Sequence, residues 1–226
     1  MANYFNIILD TLGPQNPSVS INSGATYTNN PLVTLANGCS DADKTGYQMK
    51  IWGNVDTAYD TDIKTTEGTS NWITYAASKQ IKLATGDGTK TVYIKIRDDV
   101  WNESDQASDS ITLDTSVPVA TITGPDVSKI SKIASKDTAA FSFSVDTAFV
   151  EYKVKVVPSS SSLHDAGSQI PTTAGSTNMS GTAGNYPANT PISCTIKGAD
   201  LETASAGDGA KIVKVFVKDA AGNWSV

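Results

Sequence analysis

Apolar residues fall on alternate positions through much of this chain. Val92, Ile94 and Ile96 share one parity within 91–97, and Val213, Val215 and Val217 share one within 211–218. A period of two sends one set of side chains to each face of a β-strand. The same reading predicts strands at 18–21, 32–36, 47–52, 72–75, 79–83 and 108–113. It continues at 119–122, 140–145, 150–157 and 192–196. No stretch sustains an apolar helical period for three turns. Many short strands with turn residues about every 8–12 positions predict an all-β chain of sandwich type. The stretch 158–190, rich in Ser, Thr and Gly, is expected to be a long polar insertion outside the core.

The strand pattern is duplicated. Gly86-Asp87-Gly88 recurs as Gly207-Asp208-Gly209, a shift of 121 positions that also carries Asp98 onto Asp219, Asn102 onto Asn223 and Ser104 onto Ser225. Each copy reads as turn, strand, loop, and the two aspartates are expected to accept hydrogen bonds from amides of the loops they open. Leu9-Asp10-Thr11, with Pro14 after it, recurs as Leu113-Asp114-Thr115, with Pro118 after it. A proline just beyond a strand bars further ladder pairing. The layout is therefore an N-terminal strand over 1–13, one domain over 14–115 and a second over 116–226.

The repeat is out of phase with these domains. The first domain closes with a last strand at 108–113, whereas the second reaches Val226 without one. The segment matching that strand stands at the start of the chain, in Tyr4, Phe5, Ile7, Ile8 and Leu9. A sandwich lacking a strand exposes an edge and part of its core. Three fates are open for the N-terminal strand: donation to a neighbouring subunit, docking on its own first domain, or disorder.

The leucine-aspartate-threonine linker and the late Asp219-Ala-Ala-Gly222-Asn223-Trp224-Ser225 loop resemble those of bacterial and phage immunoglobulin-like, fibronectin-III-like repeats. Asp98-Asp-Val-Trp101-Asn102-Glu-Ser104 departs from that pattern by placing Trp101 where the other copy has glycine. The resemblance implies two tandem immunoglobulin-like β-sandwich domains, the second lacking its own last strand. That architecture is shared by virion proteins, adhesins and carbohydrate-enzyme accessory domains, and the expectation among these is a non-enzymatic structural part of a bacteriophage particle, in its capsid decoration, neck or tail, with other subunits and virion proteins as partners. The alternative it leaves is a cell-surface adhesin or a carbohydrate-binding accessory module that meets a host glycan outside the cell. The start of the chain has no basic, apolar and cleavable segments of a secretory leader, which favours assembly in a host cytoplasm.

Charge and reactive residues narrow the picture further. Seventeen basic against 23 acidic residues leave a net charge of −6, a surface that repels phosphates, so no nucleic-acid partner is expected. No apolar run approaches the roughly 20 residues of a membrane span. Cys39 and Cys194 fall in different domains and are expected to be buried free thiols. The one histidine, His164, lies in a serine-rich loop, where a solvated ring is expected rather than a catalytic one. No cofactor is expected. Asp41 with Asp43, and the series Asp56, Asp60 and Asp62, leave calcium as the one candidate ligand. Trp52 is expected in the core, as in an immunoglobulin-like strand. Trp72, Tyr75 and Tyr59 form a candidate sugar platform, and Trp101 and Trp224 are candidate interface anchors at one pole of each domain.

Overall fold

The computed structural model describes residues 5–226, which divide into two compact units meeting at Thr115 and Ser116. In the first unit, β1 (Ser18–Ile21), β3 (Leu32–Gly38) and β6 (Ser78–Lys82) form one sheet in the order β1-β3-β6. The facing sheet contains β2 (Tyr27–Thr28), β4 (Gln48–Gly53), β5 (Ile73–Thr74), β7 (Gly88–Arg97) and β8 (Ala107–Leu113), ordered β2-β8-β7-β4-β5. Alternate residues of each sheet meet in a core of Ile21, Leu35, Met49, Ile51, Ile94 and their neighbours. The side-chain parity read along the sequence is the burial parity of β7: Val92, Ile94 and Ile96 are all fully buried.

The second unit repeats the plan. One sheet orders as β14-β10-β9, from β9 (Ala120–Thr123), β10 (Thr138–Val145) and β14 (Ile192–Lys197). In the other, β11 (Glu151–Val157) is the centre. It pairs with β15 (Ile212–Lys218) on one edge and with the two-residue strands β12 (Ser168–Gln169) and β13 (Ser180–Gly181) on the other. A seven-residue helix, α1 (Gly198–Ala204), follows β14. Both units are therefore β-sandwiches, and the chain is a tandem of immunoglobulin-like sandwich modules.

Three expectations need correction. The insertion at 158–190 is not excluded from the core: Ile170 and Met179 are buried in it, and Tyr186 packs against it. Its apolar residues are isolated in polar sequence and show no period. They are brought in by β12, by β13 and by Gln169, whose amide donates to the Val154 carbonyl at 2.9 Å. The N-terminal segment forms no strand over residues 5–13, and Phe5, Ile7, Ile8 and Leu9 are exposed. The station its sequence matches, beside β7, is filled by β8, whose other edge is taken by β2. Of the two free thiols, Cys194 is buried but Cys39 is only half-buried.

Candidate functional site

The late loop of each unit is built by one carboxylate. Asp98 and Asp219 are both buried at the end of their strands. Asp98 Oδ1 accepts from the amides of Val100 at 3.0 Å and Asn102 at 2.9 Å, and its Oδ2 accepts from Asn102 Nδ2 at 2.9 Å. Asp219 repeats this with the Asn223 amide and Nδ2, each at 2.9 Å. The serine two residues on closes the loop in both copies. The Ile96 amide donates to Ser104 Oγ at 3.0 Å, and the Val217 amide to Ser225 Oγ at 3.1 Å. The repeated Asp, Asn and Ser are thus the structural skeleton of a rigid loop.

That loop presents aromatic side chains beside a pair of cations. In the first unit the Arg97 guanidinium lies over Trp72 at 4.4 Å and over Trp101 at 4.9 Å, and Lys50 lies over Trp72 at 4.8 Å. Gln48 Oε1 accepts from Arg97 Nε at 2.7 Å and from the second guanidinium nitrogen. Trp101 is 70% exposed and holds a positive φ of 71°. The same registers carry the corresponding group in the second unit, where Lys50, Arg97 and Gln48 become Lys153, Lys218 and Glu151. Lys153 and Lys218 stand over Trp224 at 4.6 and 5.2 Å, and that indole stacks on His164 with ring centroids 4.5 Å apart. His164 is therefore a packed ring rather than a freely solvated one.

Charge separates the two stations. Glu151 pairs with Lys153 at 3.0 Å and with Lys218. Burial raises the Glu151 pKa, but the hydrogen bonds from Lys218 and Lys153 outweigh it and hold the carboxyl below its ordinary value. Neutral Gln48 gives Arg97 no ion pair, and the Arg97 guanidinium lies against half-buried Trp72 and exposed Trp101. A desolvated cation on an indole contributes up to about 2 kcal/mol, and less at an exposed site.

The other candidates disperse. Trp72, Tyr75 and Tyr59 make no ring contact with one another: Tyr75 packs on the first core and donates to the Asn37 carbonyl at 2.9 Å, while Tyr59, on the surface, pairs with Gln80 at 3.1 Å. Trp52 is buried but outside the inter-sheet core, stacked on Tyr93 at 5.7 Å. Met49 and Ile51 point inward, so strand parity turns Trp52 to the outer face. Asp56 and Asp60 are paired with Lys82 at 2.8 Å and Lys79 at 2.7 Å. Among the described residues no group of three or more His, Cys, Asp or Glu side chains is placed to hold a metal ion, and no helix is long and apolar enough to cross a membrane. Tyr4 lies outside the described residues. The Arg97 sandwich was missed by the sequence reading because Trp72 and Trp101 are 29 positions apart; the signal available was an arginine ending a strand, with Trp101 in the loop just after it.

No family model matches the chain, and no curated protein does. Solved structures of similar architecture include the fibronectin(III)-like modules of Clostridium thermocellum CbhA, 10% identical, covering 92% of this chain and 89% of that one with a TM-score of 0.45. The D00-D0 domain of intimin is 14% identical over 88% of this chain and 91% of its own, at 0.29. Chitinase ChiA74 from Bacillus thuringiensis is 18% identical over 92% of this chain but 30% of its own, at 0.31. No function follows from these likenesses.

Proposed function

We propose that this chain is a non-enzymatic structural component of a bacteriophage particle, of the decoration, neck or tail class, which binds neighbouring virion proteins through its sandwich surfaces. The observation that supports it is Trp101. An indole held in left-handed backbone, 70% exposed and fixed by Arg97, is a strained and rigid anchor. Strained residues concentrate where a surface has work to do, and rigid aromatic and arginine anchors dominate protein interfaces. The polar clusters of both loops are consumed in holding them, as expected of a scaffold.

A second reading is favoured by one difference between the units. Gln48 in place of Glu151 leaves a cationic, aromatic station in the first unit, suited to the carboxylate and ring of an acidic sugar on a host surface. Sedimentation of the purified chain and its Trp101→Ala variant, beside a glycan array, separates the two. Self-association that weakens in Trp101→Ala supports the virion reading. Binding to acidic glycans that needs Trp72 and Arg97, with self-association unaffected by Trp101→Ala, supports the adhesin or accessory-module reading.

A further inference from the structure

Among the described residues, one edge of the second sandwich is unpaired. In the first unit β7 lies between β4 and β8, and β8 closes the core with Ile111 and Leu113, both buried. In the second unit β15, the counterpart of β7, pairs with β11 on one edge and with no strand on the other among the described residues. A groove of about 750 Å³ runs where β8 would lie, lined by Ile122, Val127, Phe141, Leu201, Val213 and Val215. Ile122 is 45% exposed there, while Ile21, at the matching position of the first unit, is fully buried.

We propose that this groove receives residues 5–11 of a second copy of the chain. A shift of 104 positions lays Ile7, Leu9, Asp10 and Thr11 on Ile111, Leu113, Asp114 and Thr115. Ile7 and Leu9 share a parity and match the two residues that β8 buries. The match extends to a polar latch: Thr115 donates to Asp87 Oδ1 from its amide at 3.0 Å and its hydroxyl at 2.8 Å. Asp208 is the counterpart of Asp87, has no hydrogen-bond partner among the described residues, and stands ready for Thr11. The β7–β8 ladder fixes the register. Lys90 faces Ile111 and Thr91 faces Ser110, so Lys211 faces Ile7 and Ile212 faces Asn6.

The donor segment is held at its base and free beyond it. Pro14 is buried, the Gln15 carbonyl accepts from the Ser40 amide at 2.8 Å, and Gly13 lies so close to the Glu103 carbonyl that a Cβ would overlap it. The Asp10 carbonyl accepts from Asn102 Nδ2 at 3.3 Å, and Ile7 and Leu9 are 85% and 86% exposed. Glu103 lies before the start of β8, whereas Thr115, from which the chain runs on to its second unit, follows its end. Seven strand residues, about 23 Å, separate the two poles. The segment thus leaves the first unit at the pole opposite the chain's exit, and its docking on the second unit of a second copy is a heterologous, head-to-tail contact whose product is a ring or filament. This inference stands whether the particle or the adhesin reading holds.

The test is a cross-strand disulfide. Thr91 and Ser110 face outward with their hydroxyls 2.9 Å apart, so Asn6→Cys on one chain and Ile212→Cys on another should bridge on mixing. The wild-type chain, with Cys39 and Cys194 only, sets the background, and Asn6→Cys with Lys214→Cys tests the register. A mixed disulfide at least ~10-fold above both is the expected result. Ile7→Asp combined with Leu9→Asp should weaken association on the order of a hundredfold without altering the fold, since both side chains are exposed in the free chain. A mixed-pair yield no higher than the controls, or bridging only within one chain carrying both cysteines, overturns the proposal. So does unchanged association of the double aspartate variant.

Discussion

Trp101 and Gly222 occupy the same left-handed position in the two copies of one loop, with φ of 71° and 98°. An L-residue there suffers a clash between its Cβ and the backbone worth about 1–2 kcal/mol, which glycine escapes. Gly222→Ala should therefore destabilise the second unit by about 1–2 kcal/mol. In the first unit Trp101→Gly should be more stable than Trp101→Ala by about 1 kcal/mol, because both lose the indole and only alanine keeps the clash. Denaturant unfolding of the three variants checks this. Equal stability of the glycine and alanine variants would show that the loop relaxes around its side chain.

The buried aspartates should be interchangeable in importance. Each of Asp98 and Asp219 accepts from an asparagine amide and side chain, at distances of 2.9 Å throughout. Hydrogen bonds to a charged acceptor are worth more than neutral ones, and deleting the acceptor leaves its donors orphaned. Asp98→Ala and Asp219→Ala should each cost about 2–4 kcal/mol. Calorimetry on both variants measures it. A loss in one unit and none in the other would contradict the equivalence of the loops.

Acid should loosen the inserted segment through Asp200. This carboxylate is fully buried and accepts from Thr173 Oγ1 at 3.0 Å, the Ala174 amide at 2.8 Å and the Ser176 amide at 2.9 Å. Burial pushes its pKa up, but the hydrogen bonds from Ser176, Ala174 and Thr173 outweigh burial and leave it lowered. A carboxylate depressed on folding contributes stability that is complete above its unfolded pKa, near 4, and lost as pH falls through the folded value. Wild type should exceed Asp200→Asn most at neutral pH, and the two should converge as pH falls through the lowered folded-state value. Unfolding midpoints from pH 2 to 7 test this, and a constant gap across the range would exclude Asp200 as the titrating group.

How much of this was legible follows from period and distance. The long strands could be read because Val92, Ile94 and Ile96, or Val213, Val215 and Val217, keep one parity where one face is buried. Strands β2, β12 and β13 are two residues long and hold no period to read. Ile170 and Met179 enter the core from separate points of a polar segment, so only the folded loop brings them together. Trp52 was readable and misplaced: the parity of Met49 and Ile51 already sends it outward, against the expectation of a core tryptophan. The loop aspartates were assigned correctly because their bonds are local. The indoles around Arg97 were not paired, since Trp72 arrives from the segment leading into β5, distant in sequence from Arg97 and Trp101.

Exchanging Gln48 for Glu should make the first station resemble the second. Glu151 already pairs with Lys218 and, at 3.0 Å, with Lys153, and its side chain is 15% exposed. A glutamate at position 48 would meet Arg97, whose Nε already donates there at 2.7 Å, with Lys50 two residues along the same strand face. Partly exposed ion pairs contribute about 0.2–1 kcal/mol and are screened by salt. Gln48→Glu should stabilise the first unit by that amount at low ionic strength and lose the gain near 1 M salt. The same change cancels the surplus positive charge beside Trp72 and Trp101, so any binding of an acidic sugar should weaken while protein association through Trp101 persists. Titration calorimetry with an acidic oligosaccharide, beside sedimentation of the same variant, measures both effects. Sugar binding that survives Gln48→Glu would rule out the station as the contact for the acid group.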